Sequence, residues 1–303
     1  MNELRALVTG AGGFVGSNLL RELYGQTNNI TAVATSAKDR LSWFKGRIIE
    51  SNFYELDWSN IGQVDVLFHN SGISDNTSVD ENKMFFINVE SSIKLFSEAI
   101  KNGCKKIIYA SSTAVYGNSS APFIEYKNEK PISIYGKSKL ILDKLAMDLA
   151  DNQLDTKIIG LRYCNIYGPG EKSRGKSASM VYQLAQQILY GQPQLFKYGE
   201  QKRDYIYVKD VVAANLCALN YNGSCVVNCS SGKSYSFNEI ADILSEVIGI
   251  KKKIEYVDNP YENYQQKIEC DINRAKSILG FSPKYDLESG IGDYYQSGKL
   301  TEK

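Results

Sequence analysis

The run Thr9-Gly10-Ala11-Gly12-Gly13-Phe14-Val15-Gly16 stands between a short apolar stretch, Leu4 to Thr9, and a helix-like one, Val15 to Tyr24. Gly10, Gly13 and Gly16 give the spacing G-x-x-G-x-x-G. Glycine is wanted at a strand-to-helix junction for three reasons. It allows a tight turn, it lets the backbone approach a pyrophosphate, and it lets helix and strand pack closely. The helix start then presents free N–H groups and the positive end of its dipole to the phosphates. Glycine-rich turns are common, but here the strand before and the helix after are both in place. The segment reads as a dinucleotide-binding turn, with Gly10, Gly13, Phe14, Val15 and Gly16 against the cofactor.

The first half of the chain continues that pattern. Apolar runs at Ile30 to Ala34, Val64 to His69, Lys105 to Ala110 and Lys157 to Arg162 alternate with amphipathic stretches. Met84 to Ile100 repeats Phe85, Val89, Ile93, Phe96 and Ile100 at three or four, and predicts one helix. Ile134 to Ala150 predicts a second, with Leu140, Leu142, Leu145 and Leu149 on its buried side. Alternating strands and helices mean an α/β fold, a Rossmann-like doubly wound parallel sheet. After Arg162 the texture changes to glycine, serine and charge, then to helices near Met180 to Tyr190 and from Ser236. Ser236 with Glu239 forms a capping box there. Residues 251 to 271 are too sparse in apolar side chains for a core element. The expected organisation is a dinucleotide-binding domain, 1–162, and a smaller α/β substrate lobe, 163–303, interwoven with it.

The usual acidic partner for the cofactor ribose, at the end of the second strand, is missing. Ile30 to Ala34 leads instead into Thr35-Ser36-Ala37-Lys38-Asp39-Arg40. Small hydroxyls and two cations suit a ribose 2′-phosphate, so Thr35, Ser36, Lys38 and Arg40 point to NADP, with NAD as the alternative.

Charge and composition exclude other classes. Lysine plus arginine is 35 against 34 acidic residues in 303, so no global basic field exists to hold nucleic acid or an anionic membrane. No run of about 18 apolar residues is present, and the N-terminus lacks the layout of a signal peptide, so the expected address is the cytoplasm. A single histidine, His69, rules out multi-histidine metal sites. The six cysteines are scattered, and Cys225 and Cys229 lie too far apart along one strand for a shared metal or a disulfide. They read as buried thiols in a reducing compartment, with no metal site.

Tyr135-Gly136-Lys137-Ser138-Lys139 places Tyr135 and Lys139 on one face of a helix. A neighbouring ammonium favours the phenolate, which would let Tyr135 act as a base near neutral pH. Upstream, Ser111-Ser112-Thr113 follows a strand, where a hydroxyl can reach the reacting oxygen. Glycine loop, serine-rich strand end and Tyr-Lys pair, in that order, resemble the extended short-chain dehydrogenase/reductase family of nucleotide-sugar enzymes. The resemblance implies Tyr135 as acid/base, Lys139 as its electrostatic partner and holder of the nicotinamide ribose, and Ser112 as hydroxyl helper, with Thr113 as a possible substitute. It also implies that Asn52, Phe53, Asn70, Ser71, Gly72 and Asn88 line the cofactor, and that His69 is positional rather than catalytic.

Arg162-Tyr163-Cys164-Asn165 and Lys202-Arg203-Asp204 look like the family's pocket-closing and diphosphate-side segments. The resemblance implies Ser74, Ser112, Thr113, Asn165, Arg174, Ser179, Phe196, Arg203 and Tyr264 as substrate contacts. Arg203 would grip a diphosphate bidentately. Within the family, Arg174 to Ser179, Gln194-Leu195-Phe196 and Asn263-Tyr264-Gln265 resemble the ADP-glycero-manno-heptose 6-epimerases. Those enzymes oxidise an alcohol and return the hydride to the other face of the ketone. Where they place a lysine as second acid/base, this chain has Arg174, and a guanidinium is a poor proton carrier. Lys176 stands nearby. The expected activity is a nucleotide-sugar epimerase acting on a nucleotide-diphosphate sugar, and the expected form is a homo-oligomer. The alternatives are an NADPH-dependent keto-sugar-nucleotide reductase, a UDP-hexose 4-epimerase and a non-catalytic NADP binder.

Overall fold

The computed structural model describes residues 4–36, 40–74, 80–260 and 265–302. Its strands are β1 Ala6–Thr9, β2 Ile30–Ala34, β3 Arg47–Glu50, β4 Val66–His69, β5 Lys106–Ser112, β6 Lys157–Tyr163, β7 Asn165–Tyr167, β8 Gln194–Phe196, β9 Lys202–Tyr207, β10 Cys225–Cys229, β11 Ser234–Ser236 and β12 Glu255–Val257. Its helices are α1 Phe14–Tyr24, α2 Trp58–Ile61, α3 Glu81–Phe85, α4 Ser91–Lys101, α5 Ile134–Asp151, α6 Met180–Tyr190, α7 Val208–Asn220, α8 Phe237–Ile248 and α9 Leu287–Gln296.

Seven strands form one parallel sheet in the order β10-β6-β5-β4-β1-β2-β3. Both faces are covered, as a parallel sheet requires. Successive side chains of β1 go to opposite cores: Ala6 and Val8 pack with Leu19, Leu20 and Val211, while Leu7 packs with Phe96 and Leu142. The order reverses between β1 and β4, which opens a crevice at the carboxyl ends of these strands. The expected Rossmann-like fold is the one observed. A three-stranded sheet, β11-β9-β7, and a two-stranded one, β12-β8, make up the C-terminal part.

Local departures from the sequence pattern have physical causes. Met84 to Ile100 is helical throughout but not α-helical throughout: a π-helical turn, Phe86–Glu90, joins α3 to α4. The buried side of α5 includes the expected Leu140 and Leu142 together with Ser138, Lys139, Asp143, Ala146 and Ala150, whereas Leu145 is 41% exposed. Charged side chains displace a leucine from the buried face because the cavity and an ion pair lie there. β3 escapes a periodicity reading because it is a short edge strand, two isoleucines between charges. Residues 251 to 271 do contribute structure: β12 pairs with β8, and Cys270 is buried. The capping box of α8 is formed as expected, Ser236 and Glu239 bonding each other's backbone N–H. All six cysteines are free, and no helix among the described residues is long and apolar enough to cross a membrane.

Candidate active site

Two cavities meet at the crevice. One, of about 590 Å³, is lined by Gly13 to Gly16, by Ser112, Thr113, Tyr135 and Lys139, and by Asn165, Arg174, Ser179 and Arg203. The other, of about 540 Å³, is lined by Gly10, Thr35, Ser36, Arg40, Asn52 and Phe53. Gly13, Asn70, Ser71, Gly72 and Ile73 wall both, so the two are one continuous groove across the glycine loop. Ser74 lies at the wall of the first. Phe196 sits half-buried in β8 and is not among the residues lining either cavity. Lys38 and Tyr264 lie outside the described residues.

Backbone proximity builds the loop. A Cβ on Gly16 would stand 2.1 Å from the Gly10 carbonyl oxygen, so only glycine lets α1 start so close to the turn. The N-cap of α1 is Gly13, with no side chain capping the helix, which leaves its first N–H groups for another acceptor. Asn70 Nδ2 is buried at the junction of the two cavities with no hydrogen-bond partner. Arg40 Nη1 donates to the Gly12 carbonyl at 3.1 Å, beside Thr35 and Ser36.

Close packing also brings the hydroxyls together. Ser133 caps α5, its hydroxyl accepting from Gly136 N at 3.0 Å. A Cβ on Gly136 would lie 2.5 Å from the Ala114 carbonyl oxygen, so the first turn of α5 presses against the turn that follows β5. Ser112, at that strand end, accepts from Ala114 N at 3.1 Å and hydrogen-bonds the Tyr135 hydroxyl. Thr113 instead donates to the Tyr163 carbonyl at 3.3 Å.

The electrostatics differ from the simple expectation that Lys139 lowers Tyr135. Burial pushes the Tyr135 hydroxyl up, and the groups that work against it are the Ser112 hydrogen bond and the Arg174 charge. Lys139 Nζ donates to the Ala110 carbonyl at 2.8 Å and lies 5.9 Å from the Tyr135 ring centroid. Burial brings this ammonium down to about 8, opposed by Asp143. Arg174 stands 6.0 Å from the Phe14 ring, in a cavity wall without a carboxylate among its described residues. Arg203 lies over the Phe237 ring at 5.6 Å.

Asn88 and His69 support the site from behind. Asn88, on the π-helical turn, clamps the loop after β4: it accepts from Ile73 N and donates to Ile73 O, both at 2.8 Å, and reaches Ser138 Oγ at 3.1 Å. His69 is buried between Phe53 and Phe96, with Nδ1 2.7 Å from the Thr9 hydroxyl and Nε2 3.0 Å from that of Ser92. Burial holds it neutral, down to about 3. Asn165 donates to the Asp204 carbonyl at 2.8 Å, and Ser179 caps α6. Cys164, Asp204 and Cys270 converge within 4.8 Å, a cluster no spacing in the sequence announces. The Asp204 carboxylate there is occupied by donors from Ser231, Gly232 and Cys270.

A glycine-loop crevice at the switch point of a doubly wound sheet, with a tyrosine and a lysine on the neighbouring helix, is the layout of a Rossmann-type dinucleotide-binding protein. The chain belongs to the NAD-dependent epimerase/dehydratase family, whose model matches residues 6–230. It is 32% identical to an ADP-L-glycero-D-manno-heptose-6-epimerase of Alkalilimnicola ehrlichii, over 95% of each chain. Among solved structures it resembles the ADP-L-glycero-D-manno-heptose-6-epimerase of Helicobacter pylori, with TM-score 0.90 and 34% identity over 99% of this chain and 98% of that one. It also resembles MoeE5 in complex with UDP-glucuronic acid and NAD, with TM-score 0.85 and 26% identity over 97% and 99% of the two chains.

Proposed function

We propose that the protein is a nucleotide-sugar epimerase that oxidises its substrate transiently and returns the hydride within one site, on an ADP-heptose or a related sugar nucleotide. The observation that carries this reading is the continuous groove from the glycine loop past Ser112, Tyr135 and Lys139 to Arg203. The similarity to two heptose epimerases supports the sugar class.

The residues present fit a nicotinamide dinucleotide. The uncapped start of α1 suits its pyrophosphate, and the unpartnered Asn70 Nδ2 offers a buried donor. When bound, that cofactor supplies the hydride acceptor and donor. Tyr135 then takes the proton of the sugar hydroxyl and later gives it back. Ser112 holds that oxygen, Lys139 holds the nicotinamide ribose, and Arg203 pairs with the diphosphate. Thr113, Asn165, Ser179 and Ser74 line the sugar side. On this reading the chain divides into a dinucleotide-binding part, 1–162, and a substrate lobe, 163–303, and it works as a homo-oligomer.

Thr35, Ser36 and Arg40 share the cavity wall where a ribose 2′-phosphate would lie, and no carboxylate among the described lining residues repels it. NADP is therefore the proposed cofactor, and NAD, present in the MoeE5 complex, is the competitor. Titration of apo-protein with both dinucleotides tests it: NADP should bind more tightly, and Arg40→Ala should narrow the gap. NAD as the tighter ligand overturns the preference.

Arg174 favours a second reading, a keto-sugar-nucleotide reductase, because a guanidinium is a poor proton carrier for the opposite face of the ketone. The two are separated by incubating the holoenzyme with an ADP-heptose deuterated at C6. Epimer carrying the label supports internal hydride return. No epimer, together with one NADPH consumed per keto-sugar reduced, transfers the assignment to the reductase.

A further inference from the structure

Tyr135, Lys139 and Asp143 follow one another at intervals of four on α5, so the three stack along one helix face. Asp143 is 2% exposed, and its carboxylate accepts from Arg162 Nε at 2.8 Å and from the Tyr109 hydroxyl at 2.9 Å. Arg162, 1% exposed, also donates to the Tyr116 hydroxyl at 3.0 Å and to Glu129 at 2.5 Å. A buried ion pair is a poor source of stability, because taking both charges out of water offsets their attraction. A carboxylate held so firmly one turn beyond Lys139 therefore calls for another reason.

Lys139 supplies it. This ammonium is 4% exposed, and the acceptor it reaches, the Ala110 carbonyl, carries no charge. Resting on the proposed function, we propose that Asp143 is a positioning residue: a buried counter-ion, anchored by Arg162 and Tyr109, that keeps Lys139 charged at the place where the nicotinamide ribose would bind. The groups around Lys139 leave this task to Asp143. Tyr135 on the same helix is neutral as a phenol, and His69 on β4 is neutral and already feels the Lys139 charge. Tyr109 on β5 is a buried phenol bonded to Asp143 itself, while Arg162 on β6 and Arg174 across the cavity are cations. Burial brings Lys139 down to about 8 even with Asp143, the group that works in the other direction, in place. Its charge opposes the Tyr135 phenolate directly, so its benefit runs through the lysine.

The test follows the Lys139 proton in the full chain. With lysine labelled at ¹³Cε, the Lys139 resonance is identified by its loss in Lys139→Met and titrated in wild type, Asp143→Asn and Asp143→Glu. The midpoint should fall by about one pH unit or more in Asp143→Asn and return in Asp143→Glu. In turnover assays the basic limb of kcat should move to lower pH by the same interval, with KM little changed. If Asp143→Asn fails to fold, Asp143→Ser carries the same expectation. A Lys139 midpoint within about 0.3 units of wild type in the neutral variant overturns the assignment. A wild-type protein that turns over no sugar nucleotide, yet shows the shift, strikes the proposed function and leaves the counter-ion role supported.

Discussion

At Tyr135 burial and chemistry pull in opposite directions: the low-dielectric pocket raises the phenol, while Ser112 and Arg174 favour its ionised form. Tyr135→Phe should keep dinucleotide binding and lose on the order of 10²–10⁴-fold in turnover, as expected for a positioned acid/base. Near-normal turnover would remove Tyr135 from the mechanism. His69 makes a prediction about stability instead. Its folded pKa, about 3, lies below the unfolded value of 6.5, so below pH 6.5 the unfolded chain takes up a proton that the folded one refuses. The stability it confers is present above pH 6.5 and is lost as pH falls toward 3. Between pH 7 and pH 5 the wild type should lose roughly 2 kcal/mol more than His69→Asn, measured by denaturant unfolding. Equal losses would show that the ring takes a proton in the folded state. The Tyr135–Lys139 pair was legible because a spacing of four on a helix is read directly from sequence. Asp143 was not, since an acidic residue at that spacing normally marks a solvent-facing side. Only the tertiary partners, Tyr109 and Arg162, show that it points inward.

Elements position these side chains through backbone contact as much as through side-chain packing. Gly16 and Gly136 each start a helix against a turn that a methyl group would push away. Gly16→Ala should cost about 1–3 kcal/mol in unfolding free energy. It should also weaken cofactor binding by about tenfold or more, the equivalent of ~1.4 kcal/mol. Thermal melts and dinucleotide titration check both, and an alanine variant with wild-type affinity would show that the loop is not the cradle. Strand, glycine turn and first helix were legible together because each local signal agrees with the others. The helix expected from Met84 to Ile100 is present, and what its periodicity does not show is the π-helical stretch inside it. Its periodicity continues through a π-helical turn, and that turn aims Asn88 at the loop beside the cavity. Likewise, Leu145 breaks the expected stripe of α5 because the buried face is taken by Lys139 and Asp143.

Over the whole molecule, the sequence carried the layer order better than the site's outer wall. Parallel strands buried on both faces announce themselves as apolar runs. Contacts made by isolated residues in the C-terminal half, such as Arg203 over Phe237 or the convergence of Cys164, Asp204 and Cys270, depend on how distant segments fold together. The sheet itself shows the same dependence. Its outermost strand on one side, β10, comes from residues 225–229, after the segments that close the substrate side of the groove. A chain leaving the ribosome must therefore wait for more than sixty further residues after β6 before that sheet edge is covered. Until then β6 presents unpaired backbone groups of the kind that recruit other chains. A fragment ending at Arg162 should accordingly be recovered as aggregate, or lack cooperative unfolding. A soluble fragment with a sharp thermal transition would contradict this. For the living cell, the interval between those two strands is a window of exposure during synthesis, and a pause in translation within it would lengthen the time in which a nascent chain depends on a chaperone.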